Sequence, residues 1–399
     1  MTDKRRDNRG RILHNGEYQL ADGRYRFRYV DSFGKSQDIY SWRLTHSDAT
    51  PVGKKRGPAL RDLKKQVEAD VFDHIVARGG NLTVLELVEK YVATKIGVRR
   101  TTATGYKTVI NFLKKDEFSR RRIDTVRISD AKLWLIKLQQ EYGKSYSSIH
   151  TIRGVLRPAF QMAMDDDYIR KNPFQFQMVD VLVNDSVRRD AITREQERNF
   201  LKFVKEDIHF NRYYDVMFIL FKTGMRIGEF CGLTVSDIDF DNHSINIFKQ
   251  LQYAAGTGLY IEETKTEAGK RVIPMTMEVE ECFKNLIANR MKHRVEPMVD
   301  GVTGFLTFCR SGKPAVEYHW AKYFSRAVEK YNATYKKELP KITPHVCRHT
   351  YCSNMAKSGM NPKTLQYLMG HSEIGVTLDT YTHVNFNDAV AEVTKLGIV

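Results

Sequence analysis

Residues 343–381 read TPHVCRHTYCSNMAKSGMNPKTLQYLMGHSEIGVTLDTY, and this stretch decides how the C-terminal half of the chain folds. Thr343, followed by a proline, is typical of a helix N-cap, so a helix is predicted to begin here. We expect that helix to end at Gly359. A second helix is predicted from Asn361-Pro362 to Gly370, because glycine readily adopts the left-handed conformation that ends helices. The stretch therefore predicts two short capped helices followed by a polar segment.

Six side chains in this half of the chain combine cations, proton carriers and a phenol: Arg226, Lys265, His345, Arg348, His371 and Tyr381. His345 and Arg348 are three residues apart, which places them on one face of the first predicted helix. An enzyme that attacks a phosphodiester with a tyrosine oxygen, and without a metal, needs cations around the phosphate, proton carriers and a phenol. The set is therefore a candidate for that chemistry.

The setting of each candidate leaves a structural alternative open. Arg226 follows Gly224 at a helix start, where a phosphate would bind well, and Glu229 one turn later could steady it. A surface Arg-Glu pair is the alternative. Lys265 is predicted in a hairpin between two strands, although most turn lysines are simply solvated. Tyr381 has polar neighbours, which predicts an exposed and mobile hydroxyl, whereas most tyrosines pack in cores or interfaces.

The His-x-x-Arg spacing is weak support by itself, because the chain repeats it at two other places. His150 with Arg153 and His209 with Arg212 have the same spacing. Nothing around these copies suggests chemistry. The copy at His345 differs in its setting between capped helices and ahead of His371.

Net charge points to a nucleic-acid partner. The 399 residues carry a formal charge of +16 and the sequence pI is about 9.4. Residues 1–80 hold 17 Lys and Arg against 11 Asp and Glu, and residues 81–190 hold 20 against 13. We therefore expect the first half to provide most of the electrostatic contact with DNA, although solvated lysine faces remain the alternative.

Cysteine usage and hydropathy indicate a cytoplasmic protein. The five cysteines form no CxxC pair, which is typical of free thiols in a reducing compartment. The longest aliphatic and aromatic run, 216–221, is too short to cross a membrane, and no apolar signal segment opens the chain. We expect no membrane association.

Residues 1–80 predict a small three-stranded sheet with a helix. Tyr25, Phe27 and Tyr29 alternate with arginines, and a turn at 31–34 leads to a strand at 38–42. From Leu60 the apolar spacing becomes helical, and the domain is expected to end near 79–80. The outer face carries Arg24, Arg26 and Arg28. Their number favours a DNA-reading face over one that serves solubility alone.

Residues 81–180 predict a helical bundle. Thr83 and Glu86 form a capping box that opens a helix over 84–94, and further helices are predicted over 102–115, 129–141 and 147–164. Basic residues on its exterior are candidate DNA contacts: Arg99, Arg100, Arg121 and Arg122. A plain helical spacer is the alternative.

Residues 190–399 predict a mainly helical third domain that holds the six candidates. Helices are expected from Thr193 and over 213–222, and strand-like runs at 244–248, 259–261 and 271–273 predict a small antiparallel sheet. The predicted fold class is α+β, mainly helical. The tail after Tyr381 has a loosely amphipathic order of apolar residues and predicts a terminal helix.

Five separated words occur in one order: TGMRIGE (223–229), TKT with RVIP (264–274), HVCRHT (345–350), LMGHS (368–372) and TLDTYTH (377–383). This order resembles the catalytic signature of the tyrosine recombinases, the phage-integrase family, over about residues 190–385. The three-part layout is similar to the integrases of conjugative transposons and many temperate phages. Glu229 stands where that family admits either acid.

The resemblance implies a role for each candidate in site-specific DNA recombination. Arg226 and Arg348 would hold the scissile phosphate, His345 would handle the tyrosine proton, and Lys265 would protonate the leaving 5′ oxygen. His371 would bond a phosphate oxygen, with Glu229 behind Arg226. Tyr381 would become linked to the 3′ phosphate, with no cofactor and no ATP.

The resemblance also implies the partners. Domain 1–80 would bind accessory arm sites on double-stranded DNA, and the bundle and catalytic domain would clamp the core site. Recombination would run in a homotetramer whose C-terminal tails are exchanged between protomers. An accessory excision factor could assist.

Three rival functions follow from the same residues. A metal-dependent transposase or nuclease would use the clustered aspartates at 165–167 or 237, 239 and 241. A type IB topoisomerase shares the tyrosine chemistry but relaxes supercoils without exchanging partners. A DNA-binding regulator would form no covalent adduct with DNA.

Overall fold

A computed structural model of the chain describes residues 5–30, 36–72, 82–186, 191–264, 266–335, 338–381 and 394, with the side chains of 69–72 left aside. The chain divides into two compact units, Met1–Val187 and Arg188–Val399. Among the described residues, the first unit contains two separate hydrophobic cores and the second contains one large core and a small one. The finer division of the first unit into 1–80 and 81–180 stays a prediction.

The N-terminal sheet has three antiparallel strands in the order β1-β2-β3: β1 (Glu17–Gln19), β2 (Tyr25–Val30) and β3 (Ser36–Ser41). Tyr25 and Phe27 are buried on one face, where Leu60 of helix α1 (Leu60–Phe72) packs against them. The alternation of side chains along β2 confirms the predicted inner and outer faces. The predicted turn at 31–34 and the boundary at 79–80 lie outside the described residues.

Four helices build the bundle: α2 (Val84–Ala93), α3 (Arg100–Leu113), α4 (Ile128–Gln140) and α5 (Tyr146–Asp165). Thr83 and Glu86 form the predicted capping box, with the Thr83 amide 2.8 Å from the Glu86 carboxylate. Trp134 stacks on Phe118, and both contact Phe174 at the centre of the core. The predicted helices are confirmed to within about two residues at each end.

The second unit contains eight further helices among the residues that the structure describes: α6 (Arg194–Glu206), α7 (Tyr214–Thr223), α8 (Ile227–Gly232), α9 (Met277–Ala288), α10 (Glu317–Thr334), α11 (Pro344–Lys357), α12 (Pro362–Met369) and α13 (Ile374–Leu378). Phenylalanine fills their common core, including Phe200, Phe221 and Phe324. Thr193 and Thr343 cap α6 and α11 as predicted, and Gly370 ends α12 in the left-handed conformation. No helix in the described part of the chain is long and apolar enough to cross a membrane.

The strands of the second unit form two sheets, which corrects the prediction of one. β4 (Ile238–Asp239), β5 (Ser244–Ile247) and β8 (Arg271–Pro274) pair in the order β4-β5-β8. β6 (Lys249–Ala254) pairs with β7 (Gly258–Glu263) in a separate hairpin. The sequence prediction missed β6, because its alternation continues that of β5 almost without a break. As β7 and β8 lie in different sheets, the hairpin predicted around position 265 is also wrong.

Candidate active site

The C-terminal end of α12 gathers three arginines. The last carbonyl groups of a helix have no partner within the helix and need donors from elsewhere. Here three successive carbonyl oxygens each accept a hydrogen bond from a different guanidinium: Leu368 from Arg271 (2.8 Å), Met369 from Arg348 (2.5 Å) and Gly370 from Arg226 (3.0 Å). Side chains from three distant parts of the sequence therefore converge on one turn of backbone.

Arg226 and Glu229 form the predicted pair at the start of α8. The Glu229 carboxylate accepts the Arg226 backbone N–H at 2.9 Å and its Nη1 at 2.7 Å. Glu229 is only 2% exposed, whereas over a third of the Arg226 side chain is accessible. The buried carboxylate therefore anchors the Arg226 guanidinium, which is still accessible to a ligand. Because Glu229 is buried, the two residues are not a surface Arg-Glu pair.

Arg271 is a member of this cluster that the sequence prediction missed. Its Nη2 lies 2.9 Å from Glu229 Oε2, its Nη1 donates to the Gly269 carbonyl at 3.0 Å, and its side chain is fully buried. A signal was present in the sequence. In the predicted strand RVIP, Arg271 and Ile273 are two residues apart and therefore lie on the same face of the strand. Because Ile273 is a core residue, Arg271 also points inward. An inward arginine requires a buried partner.

Arg348 ties α12 to the end of a second helix. Its Nη1 donates to the carbonyl of Gly224 at 2.7 Å, and Gly224 ends α7 at a φ of +63°. A Cβ at that position would lie 2.4 Å from Tyr351 Cδ1, so only glycine fits there. Burial, and then the nearby Arg226, lower the pKa of Arg348 to about 9. Its environment thus destabilises the charged form of the guanidinium, and a bound anion would stabilise that form.

The charges in this network do not balance. Burial by itself would raise the pKa of Glu229, but Arg271 and Arg226 outweigh it and lower that pKa, so the carboxylate is ionised. Among the described residues bonded into the network there are three guanidiniums and one carboxylate: Arg226 and Arg271 bond to Glu229, whereas Arg348 donates to backbone carbonyls. Backbone carbonyls supply the other bonds but no net charge. This charge and the guanidinium donors make the site chemically suited to an anion such as a phosphate.

His371 follows Gly370 directly and is neutral at pH 7. Its Nδ1 lies 3.0 Å from the hydroxyl of Thr377 in α13, and its backbone N–H donates to Gln366. Burial, followed by the positive charges of Arg348 and Arg226, lowers the pKa of His371 to about 4. A neutral imidazole can donate one hydrogen bond to an oxygen near the arginines without adding to their repulsion.

Tyr381 is not the exposed residue that its polar neighbours predicted. Its ring packs against a small core that contains Tyr351, Leu365 and Met369, and its hydroxyl donates to the Met360 carbonyl at 2.6 Å. Burial raises the pKa of Tyr381. The error arose because the apolar residues that cover the ring come from α11 and α12 and are not its neighbours in sequence.

Comparisons with known proteins identify the family of the chain. Residues 190–388 match the model of the phage integrase family, residues 1–71 match the DNA binding domain of Tn916 integrase, and residues 83–181 match the phage integrase SAM-like domain. The transposase from transposon Tn916 of Enterococcus faecalis is 44% identical over 398 residues, which cover 100% of this chain and 98% of that protein. The chain belongs to the phage integrase family. It is a tyrosine recombinase, an enzyme that cleaves and rejoins DNA at specific sites.

Solved structures of the family show the same fold. The Tn1549 transposon integrase in complex with transposon right end DNA has a TM-score of 0.75 and 41% identity, and the match covers 79% of this chain and 100% of that one. The same integrase bound to a circular intermediate DNA gives the same TM-score. A lambda integrase tetramer bound to a Holliday junction has a TM-score of 0.52 at 18% identity and supports the fold alone.

Three of the six candidate residues of this recombinase are not bonded into the arginine cluster among the described contacts: Tyr381, whose hydroxyl bonds to Met360, His345 and Lys265. His345 is exposed in the first turn of α11, one turn before the buried Arg348, and lines a groove together with Glu317 and Lys341. Lys265 lies outside the described residues. The cluster itself therefore contains Arg226, Arg348 and His371, with Glu229 and Arg271 behind them.

The other copies of the His-x-x-Arg spacing have structural roles. Arg153 is buried in the bundle, where its guanidinium donates to the Phe174 carbonyl at 2.8 Å and also to that of Phe176. Arg212 donates to the carbonyl of His209 within its own turn. Spacing alone does not make a site in this recombinase, because the partners of each arginine decide its role.

The aspartates that a metal-dependent rival would need have other partners. Asp237 is buried in an ion pair with Lys249 and accepts the backbone N–H of Thr234. Asp239 holds the side chain of Asn242 at 2.7 Å, and Asp166 lies 3.7 Å from Lys90. These contacts are those of turns and ion pairs.

The candidate DNA contacts of the first unit are placed on its surface. On the sheet, Arg28 pairs with Asp38, Arg26 stacks over Tyr18, and Arg24 pairs with Asp22. On the bundle, Arg121 pairs with Asp130 and Arg122 with Asp124, while Arg99 and Arg100 begin α3. Their contacts with DNA stay a prediction.

Proposed function

We propose that this recombinase is the integrase of a conjugative transposon or phage and catalyses both integration and excision through a covalent 3′-phosphotyrosyl bond at Tyr381. The observation that carries the proposal is the convergence of Arg226, Arg271 and Arg348 on the carbonyls of residues 368–370. The similarity to the Tn916 transposase along the whole chain supports the conjugative transposon as the mobile element.

In the proposed reaction, Arg226 and Arg348 hold the non-bridging oxygens of the scissile phosphate. A guanidinium has five N–H donors, and each of these two side chains keeps donors beyond those bonded to carbonyls and to Glu229. Negative charge grows on these oxygens in the transition state. One prepositioned donor of this kind is worth about 2.7–4 kcal/mol in the barrier.

Tyr381 provides the nucleophile. Its oxygen must leave the Met360 carbonyl to reach the phosphorus, and its proton passes to His345. The bond from phosphorus to the 5′ oxygen breaks, Lys265 donates a proton to that oxygen, and the 3′ phosphate remains on Tyr381. His371 donates from Nε2 to a phosphate oxygen while Nδ1 faces Thr377. A 5′ hydroxyl from another strand reverses the attack, so neither ATP nor a metal ion is consumed.

The first unit is proposed to bind DNA at two places. The sheet of residues 1–80 takes accessory arm sites through Arg24, Arg26 and Arg28, and the match of residues 1–71 to the DNA binding domain of Tn916 integrase supports this. The bundle of residues 81–180 grips the core site with the catalytic domain of residues 190–399, through Arg99, Arg100, Arg121 and Arg122. An accessory excision factor and a cytoplasmic location belong to the same proposal.

We propose further that recombination runs in a tetramer whose C-terminal tails dock on neighbouring protomers. One groove of the second unit, along α6 and α7, is lined by Arg194, Arg198, Lys202, Lys205 and Lys222, together with Phe218 and two carboxylates, Glu197 and Glu278. The tail beyond Tyr381 carries apolar residues, two acids, Asp388 and Glu392, and one lysine, Lys395. The groove therefore complements the tail of a second copy in charge.

The tail proposal predicts a charge-swap result. Deleting the residues beyond 385 abolishes cooperative assembly on DNA, measured by gel shift, and Asp388→Lys with Glu392→Lys weakens it. Adding Arg198→Glu and Lys202→Glu to the charge-reversed tail restores assembly. Unchanged cooperativity after the deletion would show that the tail has no docking role.

A suicide substrate tests the chemistry. On duplex DNA nicked near the cleavage point, the wild-type protein is expected to form a covalent adduct that survives denaturing electrophoresis, and Tyr381→Phe forms none. Mapping the attachment points on a library of nicked duplexes gives the nucleophile, the strand polarity and the target sequence together. Activity in excess EDTA separates this function from a metal-dependent nuclease.

The remaining rivals predict different products from the same assays. A topoisomerase relaxes supercoiled plasmid without exchanging partners, whereas the recombinase yields joined products from two marked duplexes. A regulator binds DNA but forms no adduct under any condition.

A further inference from the structure

The outer face of the N-terminal sheet contains an acid directly opposite one of its arginines. In the antiparallel register of β2 and β3, Arg28 lies opposite Asp38 and Arg26 lies opposite Tyr40. Arg28 Nε is 2.9 Å from Asp38 Oδ1 and its Nη2 is 3.0 Å from Oδ2, so the two groups share two parallel hydrogen bonds. Asp38 Oδ1 also lies 4.0 Å from Arg26 Nε. The carboxylate therefore fixes the plane of the Arg28 guanidinium.

A carboxylate in this position is poorly suited to a face that binds the DNA backbone. It repels phosphates and cancels the charge of an arginine that would otherwise neutralise one. The hydrogen bond from Arg28 lowers the pKa of Asp38, so the acid is ionised at neutral pH. Backbone binding alone thus gives no reason for the pair, whereas reading a base edge does.

The geometry of the pair leaves the outer edge of the guanidinium available. Asp38 takes Nε and one hydrogen of Nη2, while the Nη1 hydrogens and the second Nη2 hydrogen point away from the carboxylate. The Arg28 side chain is 52% exposed. An arginine held in this way presents two parallel donors, which match the O6 and N7 acceptors that guanine displays in the major groove.

Its neighbours on the same face are held differently. The Arg26 guanidinium lies 4.8 Å from the centroid of the Tyr18 ring, and Arg24 lies 5.5 Å from that of Tyr40. Arg24 also shares one side-chain hydrogen bond with Asp22, and Arg26 lies 4.0 Å from Asp38, but neither has the two parallel hydrogen bonds of the Arg28 pair. The face therefore combines two arginines that lie over aromatic rings with one arginine whose plane is set by two hydrogen bonds to an acid.

We propose that Arg28 reads a guanine in the major groove of the arm DNA and that Asp38, by fixing its orientation, determines the selectivity for that base. This inference rests on the proposed binding of arm DNA by residues 1–80. It assigns Asp38 as a positioning residue that acts through Arg28 and does not bind DNA itself.

The test uses the full chain and a randomised duplex library, from which the preferred arm sequence is selected. Asp38→Asn is expected to lower discrimination at one G·C pair about tenfold, with little change at other positions. At the same time, binding to unrelated duplex DNA is expected to become stronger, because the repelling charge is gone. The slope of affinity against salt concentration should increase by an amount equal to about one additional phosphate contact. Arg28→Lys keeps the charge but loses the same discrimination, since a lysine cannot bond both acceptors.

Asp22→Asn is the matched control. Asp22 also pairs with an arginine of this face, at 2.6 Å from Arg24 Nε. It lies in the turn before β2 and pairs with Arg24, so it does not set the orientation of Arg28. The control steepens the salt dependence similarly and leaves discrimination at the G·C pair unchanged. Replacing the guanine by 7-deazaguanine removes one acceptor, so it weakens wild-type binding and has a smaller effect on Asp38→Asn. Thermal melting of each variant checks that the sheet remains folded.

Each failure has a distinct reading. If Asp38→Asn keeps its discrimination, or loses it evenly over the whole site, the role of Asp38 is refuted. If replacing Arg24, Arg26 and Arg28 together leaves affinity for the selected site intact, the sheet is not the arm reader and both proposals about it fail. Neither result bears on the adduct at Tyr381, which tests the recombinase chemistry separately.

Discussion

Two groups of three arginines show two ways of holding the same side chain. On the N-terminal sheet, Arg24, Arg26 and Arg28 are partly exposed and are held by aromatic rings and aspartates. At the end of α12, Arg226, Arg271 and Arg348 are held by backbone carbonyls and one buried glutamate. The first arrangement leaves the guanidiniums exposed to a DNA surface, and only Arg28 among the three has its plane set by two hydrogen bonds to an acid. The second fixes its members before a substrate arrives, which is what transition-state stabilisation requires.

Removing Arg271 should give the largest loss of stability, because it leaves Glu229 charged, buried and short of a partner. We expect Arg271→Met to lower the free energy of unfolding by about 3–5 kcal/mol, measured by urea denaturation. Arg212→Met is the control, since Arg212 is exposed and bonds only within its own turn. Its effect should be small.

A second substitution distinguishes a positioning role of Arg271 from a purely structural one. Arg271→Met combined with Glu229→Gln should recover much of the stability, because the buried charge is gone. We expect adduct formation to stay low in this double variant, since Arg226 and α12 have lost their common anchor. Recovery of cleavage together with stability would show that Arg271 serves stability alone.

Arg348→Lys is expected to reduce the rate of adduct formation about 10²–10³-fold while leaving DNA binding largely intact. Arg348 bridges the carbonyls of Gly224 and Met369 with two different nitrogens. A lysine has one nitrogen and cannot span both carbonyls and also meet a phosphate. Single-turnover cleavage of the suicide substrate measures the effect, with Arg212→Lys as the control. Near wild-type cleavage would contradict the phosphate-binding role.

The features that were predictable from sequence are those determined within a few residues. Thr83 with Glu86 and Thr343 identify helix starts through contacts three residues apart, and Gly370 identifies a helix end. The arginine cluster was predictable in part, because the ordered words resemble a known family. Its physical cause, the shared end of α12, was not.

The features that sequence reasoning missed depend on distant partners. Arg271 meets Glu229 across 42 residues, and the Tyr381 hydroxyl meets a carbonyl 21 residues earlier. The strand β6 was missed because the chain passes from one sheet to the other at Phe248 without a turn residue. Local periodicity contains no information on which of two sheets a strand joins.

Protonation of His371 should make the buried cluster sensitive to acid. The pKa of this residue is about 4 in the folded chain, below the ordinary value of 6.5, so the unfolded state takes up the proton first as the pH falls. Stability from this group is therefore complete above pH 6.5 and is lost progressively between pH 6.5 and 4. We expect the urea midpoint of the wild type to fall over this range more steeply than that of His371→Gln. Equal slopes would show that His371 does not titrate as described.

The smallest effect is expected where the two groups of arginines differ most, in the energetic coupling between an arginine and its acid. Arg28 and Asp38 are both accessible to water and salt, which screen their attraction and solvate each group when the other is removed. A double-mutant cycle on unfolding with Arg28→Ala and Asp38→Ala should therefore give a coupling close to zero. The same cycle on Arg271 and Glu229 should give a large one, because neither buried group has water as an alternative partner. A strong coupling between Arg28 and Asp38 would mean that the pair stabilises the sheet. The presence of Asp38 on that face would then be explained without a role in reading a base.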